Sequence, residues 1–315
     1  MASAKPDFAL PPQTVLHARY LLGDTLGGGA LGITYRAVQL DAPARGRVVA
    51  VKEFFPRALA VRAADGSVQP MPKGAADFAL YCARFVRGYR FLHAKANCPP
   101  LVPLLDLFEQ NGTAYVVMAY IEGETLEERV EAHGAIPPRA LMRMMRPFLH
   151  DLAALHQRKI IHRAIMPRNI LLRGENPPML LDFGGARPED DWPLRRCPVL
   201  RGRGYLPPEQ ICQSRQGSWT DVYALCATMY YALTAKEPAD ALERLFAAKT
   251  GKDDPLVSIR TLCPKLPRKQ ADALMAGLSL DSAARPADFA ALESALYGSK
   301  IPHFAFRIPN WCARK

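Results

Sequence analysis

No stretch of this sequence is long and apolar enough to cross a bilayer. The longest apolar run, residues 222–235, carries three tyrosines and falls short of the roughly 20 residues a spanning helix needs. The first residues, Met1-Ala2-Ser3-Ala4-Lys5-Pro6, lack the apolar centre of a secretion signal. Cysteine is sparse and unordered. Its seven positions (Cys82, Cys98, Cys197, Cys212, Cys226, Cys263 and Cys312) are odd in number and include no C-x-x-C pair. That pattern argues against a zinc framework or a disulfide scaffold and for a reducing compartment. A cytoplasmic protein without a membrane span is the expectation. Nowhere do aromatic residues interleave with dense Lys and Arg, as they do in a groove that tracks nucleic acid. The net charge of +11 is therefore read as a solvated basic surface, and no specific nucleic acid is expected. Two local gaps add to these. Residues 78–104 contain no Asp or Glu, and residues 185–206 contain no Ser or Thr, leaving Tyr205 as the sole hydroxyl there.

What is present suits a globular chain. With 315 residues, 49% of them hydrophobic and 23% charged, it can build one large domain or two modest ones. Residues 1–17 read as a loosely held, proline-containing lead-in. Strands are expected at 19–26 and 33–38, around Gly27-Gly28-Gly29-Ala30-Leu31-Gly32. Bare glycines let backbone N–H groups approach phosphate oxygens closely. A dinucleotide fold needs a helix straight after such glycines, whereas Ile33-Thr34-Tyr35 is β-branched and aromatic and predicts a strand. Residues 48–55 form a third apolar strand containing Lys52, a cation that is costly there unless an anion pairs with it. A linker with an Asp65-Gly66 turn covers 57–74. Phe78, Tyr81, Phe85, Tyr89 and Leu92 recur at helical spacing and predict a helix over 75–96. Two strands follow at 103–109 and 114–120, around an Asn111-Gly112 turn. Helices are expected at 125–133, 137–158, 242–249, 269–278 and 286–297, with short strands at 170–172 and 179–181.

Residues 160–172 read Ile-Ile-His-Arg-Ala-Ile-Met-Pro-Arg-Asn-Ile-Leu-Leu. This resembles the catalytic loop of the protein kinase family, H-R-D-x-K-P-x-N, with His162, Arg163, Pro167 and Asn169 in place. Ala164 stands at the loop's Asp and Met166 at its Lys. The other family motifs occur in order. Gly27, Gly29 and Gly32 resemble the glycine-rich hairpin, and Val-Ala-Val-Lys ending at Lys52 resembles V-A-I-K. The Glu-Phe-Phe-Pro that follows, like Gly32-Ile33-Thr34-Tyr35, resembles bacterial serine/threonine kinases. Asp182-Phe183-Gly184 matches D-F-G, residues 204–210 resemble the A-P-E segment with Glu209, and Asp221 and Arg285 match two structural positions. The helix over 75–96 takes the place of the C-helix, and its alignment puts Gly88 where the family has the Glu that pairs with the strand Lys.

The resemblance implies an α+β, bilobal kinase-like fold: a small antiparallel N-lobe sheet with one C-helix, and a mainly helical C-lobe. It implies a lead-in at 1–17, an N-lobe at 18–121, a C-lobe at 122–298 and a tail at 299–315. It implies ATP held by Gly27, Gly29, Gly32 and Lys52, with Met118 gating the adenine pocket and Tyr120 in the hinge. Asn169 and Asp182 would hold Mg²⁺ on the phosphates, while His162, Arg163, Glu209, Asp221 and Arg285 would be structural. The segment 185–206 would be basic, through Arg187, Arg195, Arg196, Arg201 and Arg203, and without the usual phosphoacceptor. Since the catalytic Asp, the loop Lys and the helix Glu are missing at Ala164, Met166 and Gly88, the leading expectation is a pseudokinase. It would bind ATP without being an enzyme and would act as a scaffold or allosteric regulator on an unidentified protein partner, a kinase or other signalling protein. Two alternatives stay open. One is a serine/threonine kinase or other ATP-dependent transferase with residual or non-standard activity, and the other is an interaction module that binds no nucleotide.

Overall fold

A computed structural model describes residues 8–29, 31–41, 46–94, 100–183, 185–188 and 203–298. The expectations placed on Gly184, on the arginines between 189 and 202 and on the tail from 299 lie outside the described residues.

Apolar, β-branched runs build the first lobe. Strands β1 (Val15–Leu16), β2 (Tyr20–Gly28), β3 (Gly32–Gln39), β4 (Arg47–Phe54), β5 (Ala60–Arg62) and β6 (Val68–Pro70) precede helix α1 (Ala75–Ala94), and β7 (Leu104–Gln110) and β8 (Thr113–Ala119) follow it. Six of these strands form one antiparallel sheet in the order β1-β2-β3-β4-β8-β7. Every residue of β8 is buried, as expected of a central strand covered on both faces. Helix α1 lays Phe78, Phe85, Tyr89 and Leu92 on the sheet, and Phe54 packs its ring against both Phe78 and Phe85.

The second lobe is mainly helical. It runs β9 (Glu124–Thr125), α2 (Leu126–His133), α3 (Pro138–Gln157), β10 (Ile160–Ile161), β11 (Ile170–Arg173), β12 (Asn176–Leu180), β13 (Arg187–Pro188), α4 (Pro208–Ile211), α5 (Ser218–Thr234), α6 (Ala241–Lys249), α7 (Ile259–Leu262), α8 (Arg268–Gly277) and α9 (Phe289–Tyr297). Thr125 opens α2 with a capping box: its hydroxyl accepts from the Glu128 N–H, and the Glu128 carboxylate accepts from the Thr125 N–H. Helix α5 is apolar on all sides because it is the buried axis of this lobe, touched by α3, α8 and α9. The long apolar run at 222–235 is thus core. Among the described residues no helix is long and apolar enough to cross a membrane. The architecture is the expected bilobal α+β kinase-like fold.

Two expectations are corrected. Residues 8–17 are not loosely held. Leu10 and Leu16 are buried, the Leu10 N–H donates to the Tyr35 hydroxyl at 3.0 Å, and β1 adds an edge to the sheet. The stretch 57–74 is more than a linker, because β5 and β6 pair as a hairpin across the Asp65-Gly66 turn. Its strands are three residues each, too short for alternation to reveal.

Candidate functional site

The glycine hairpin joins β2 to β3, closed by the Gly29 N–H donating to the Gly32 carbonyl at 2.8 Å. Its glycines have different physical reasons. A Cβ on Gly32 would lie 2.2 Å from the Glu53 carbonyl oxygen, so packing against β4 requires glycine there. A Cβ on Gly27 would meet nothing within 4 Å, and one on Gly29 would meet only the Gly32 oxygen at 4.0 Å. The fold itself leaves open space at these two positions.

Successive residues of β4 point to opposite faces of the sheet. Lys52 is buried, and its ammonium is bonded to the Asp182 carboxylate from the other lobe. Burial by itself pulls the lysine pKa down, but the Asp182 charge and then the nearby Tyr89 hydroxyl raise it above the ordinary value. The ammonium is therefore charged at neutral pH. On the other face Glu53 is fully buried, accepting from Tyr35 Oη at 2.8 Å, Tyr115 Oη at 2.9 Å and Arg62 Nη2 at 2.6 Å. Arg62 Nε also donates to the Phe8 carbonyl at 2.6 Å, so this network ties the first described residues and the β5–β6 hairpin to the strand that carries Lys52. Glu53 belongs to none of the motifs, and its one mark in the sequence is that it is a second charge inside an apolar strand.

The loop after β10 is braced from α5. The Asp221 carboxylate accepts from the His162 and Arg163 backbone N–H groups, each at 2.7 Å, and lies 3.1 Å from His156 Nε2. Arg163 has φ of 64°, a left-handed conformation that is costly for a residue with a Cβ, and the buried carboxylate holds it there. Burial lowers the His162 pKa, so its ring is neutral, and it sits edge-on to Phe183 at 5.5 Å. Asn169 Nδ2 donates to the Ala164 carbonyl at 2.8 Å, and the Leu181 N–H donates to the Asn169 carbonyl at 2.9 Å, which places Asn169 beside the segment carrying Asp182. Met166 is buried and packs into the hydrophobic core.

Glu209 and Arg285 form a buried bidentate pair at 2.7 and 3.1 Å, with the Thr220 hydroxyl donating to Glu209 at 3.0 Å. Met118 is buried on β8 opposite Ala50. Tyr120 follows the strand, with the Arg36 guanidinium 5.2 Å from its ring centre. Gly88 is buried in α1. Among the described residues no three His, Cys, Asp or Glu side chains form a metal cage. Asn169 and Asp182 fit Mg²⁺ only if phosphate oxygens complete its shell.

Residues 20–274 match the family model described as protein kinase domain. The chain belongs to the protein kinase family. A serine/threonine-protein kinase, PknA of Nostoc sp., is 29% identical over 236 residues, covering 72% of this chain and 39% of that protein. Serine/threonine-protein kinase PknL of Mycobacterium tuberculosis is 30% identical over 227 residues, 71% of this chain and 51% of that protein. The chain thus spans about a third to a half of the length of the curated relatives it matches. A solved structure, PpkA-294 apo form, aligns with a TM-score of 0.76 at 26% identity, covering 92% of this chain and all of that one. These findings overturn the expectation of a non-enzyme drawn from Ala164, Met166 and Gly88, since the relatives are named as kinases. The physical reason is that phosphoryl transfer rests chiefly on positioning and electrostatics, so a changed loop does not by itself end the chemistry.

Proposed function

We propose that this chain is a serine/threonine-type protein kinase domain that binds Mg·ATP under the glycine hairpin and transfers phosphate with a non-standard catalytic loop. The observation that carries the reading is the convergence of the open glycines Gly27 and Gly29, the Lys52–Asp182 contact and Asn169 between the lobes. In this reading the backbone N–H groups of the hairpin and Lys52 would hold the phosphate oxygens, and Asp182 and Asn169 would hold the cation, Asn169 through its side-chain oxygen because its Nδ2 is committed to the Ala164 carbonyl. Met118 walls the adenine pocket, and the backbone around Tyr120 is its edge. When bound, ATP supplies the phosphoryl group and Mg²⁺ neutralises its charge. Losing a general base typically costs about 10²–10⁴ in rate, which from ordinary kinase turnover leaves on the order of 10⁻⁴ to 1 s⁻¹.

Other parts of the reading have separate support. The described free cysteines Cys82, Cys212, Cys226 and Cys263 suit a cytoplasmic setting, where ATP is plentiful. The relatives' names support a bacterial signalling role with an unidentified protein as acceptor or partner.

The test is transfer of radiolabelled γ-phosphate to a Ser/Thr-containing protein. Slow, Mg²⁺-dependent labelling is expected, accelerated in Ala164→Asp. Binding of Mg·ATP without labelling in either protein would reject the kinase assignment.

A further inference from the structure

We infer that Arg36 and Tyr120 form a gate at the purine end of the nucleotide pocket, so that a nucleotide enters and leaves only when their contact parts. The inference rests on the reading that places the purine beside Met118. Strand register puts both residues there. Residues paired across neighbouring strands share a face of the sheet, and so do residues two apart on one strand. Lys52 pairs with Thr34 on β3 and with Val116 on β8, and its contact with Asp182 marks its face as the one turned to the helical lobe. Two residues earlier on β4, Ala50 pairs with Arg36 and with Met118, so these three lie on that same face. The burial of β3 agrees. Tyr35 and Ala37, on the opposite face, are buried, whereas Arg36 between them is exposed. Val49 pairs with Ala119, so Tyr120 comes just past the end of that pairing, on the side of Met118 away from Lys52. From the phosphate end outward the order is Lys52, the row of Arg36, Ala50 and Met118, and then Tyr120.

The contact crosses the sheet. Strand β4 lies between β3 and β8, and neighbouring strands stand about 4.8 Å apart. Arg36 therefore reaches past a whole strand to bring its guanidinium 5.2 Å from the centre of the Tyr120 ring. Ala50, the β4 residue paired with Arg36, offers only a methyl to cross. At that distance the negative face of the ring attracts the cation. Neither side chain is tied up in the core, since Arg36 is exposed and Tyr120 is half-buried. Their attraction is that of an exposed cation and ring, which is weak. A weak contact between two surface side chains, set across the outer end of the pocket, can open and close without disturbing the sheet beneath it.

The test is kinetic. Stopped-flow fluorescence on the full chain with Mg²⁺ and a ribose-labelled ADP gives the association rate, and a chase with unlabelled Mg·ADP gives the dissociation rate. Arg36→Ala should raise both rates about two- to fivefold, the worth of one exposed cation–π contact, and leave Kd within about twofold. Tyr120→Leu should do the same, because it keeps bulk and loses the aromatic face, whereas Tyr120→Phe should keep the wild-type rates. The double variant Arg36→Ala/Tyr120→Leu should be no faster than either single one, because a single contact is removed. Unchanged rates in Arg36→Ala would overturn the gate and leave the nucleotide site standing. Faster dissociation alone, with a matching loss of affinity, would overturn it as well, since Arg36 would then be holding the nucleotide itself. A double variant faster than both single ones would count against a shared contact. If the wild-type chain binds no labelled ADP, the nucleotide reading fails and the gate falls with it.

Discussion

Gly29 and Gly32 are three residues apart in one hairpin and answer to different constraints. The Gly32 position is closed by the Glu53 carbonyl, 2.2 Å from where a Cβ would stand, while Gly29 has open space beside it. Gly32→Ala forces backbone against backbone and should destabilise the protein by about 1–3 kcal/mol. Gly29→Ala should leave stability almost unchanged and weaken Mg·ATP, because the added methyl stands where a phosphate oxygen would approach. Thermal midpoints paired with calorimetry on both variants check this. Two unstable variants, or two with normal affinity, would contradict it. Lys52 shows the same separation of roles. Its strand could be read from an apolar run, but its partner Asp182 comes from a distant part of the chain.

At the scale of elements, buried charges pin helices to the loop. The Glu209–Arg285 pair links the start of α4 to the turn before α9, and Arg285 also donates to the Ser279 carbonyl at 2.7 Å. Arg285→Ala strands a buried carboxylate and should cost about 3–5 kcal/mol in chemical denaturation. Arg285→Lys should recover only part of that, since an ammonium cannot make the bidentate bond. Helix α5 braces the loop through Asp221. Burial would raise this carboxyl, but hydrogen bonding and charge from His156, together with His162 and its backbone, leave it net below its ordinary 3.8. His162 is lowered from 6.5 mainly by burial. Both folded-state pKa values lie below the unfolded ones, so both contributions are complete at higher pH and are lost on acidification. Stability should begin to fall as pH drops below about 6.5 through His162, and fall further below about 4 through Asp221. Urea midpoints from pH 8 to 3 measure this, and Asp221→Asn should flatten the lower part of the curve. A midpoint independent of pH would refute the linkage.

For the molecule as a whole, the contact between Lys52 on the sheet and Asp182 in the helical lobe marks where a ligand would join the lobes. Mg·ATP should therefore stabilise the chain by mass action, about 2.7 kcal/mol at a hundredfold excess over Kd. ATP with a chelator should give less, because Asp182 and Asn169 then have no cation to hold. A thermal midpoint unmoved by millimolar Mg·ATP would remove the nucleotide reading. The strands and long helices were legible beforehand, because alternation and three-to-four spacing are local properties of the chain. So was the order of the motifs around His162, Asp182 and Glu209.

The sequence by itself determined the fold, through periodicity and ordered motifs, and it determined which chemical groups are absent from residues 78–104 and from position 164. Tertiary structure decided who meets whom. Glu53 needs Tyr35, Tyr115 and Arg62, 18, 62 and 9 residues away, before a buried carboxylate makes sense. The left-handed φ of Arg163 is bearable only because Asp221, 58 residues later, accepts its N–H. Local pattern records which face of an element is apolar. Where a single polar atom on that face ends up depends on chain closure over tens of residues, which no local pattern carries.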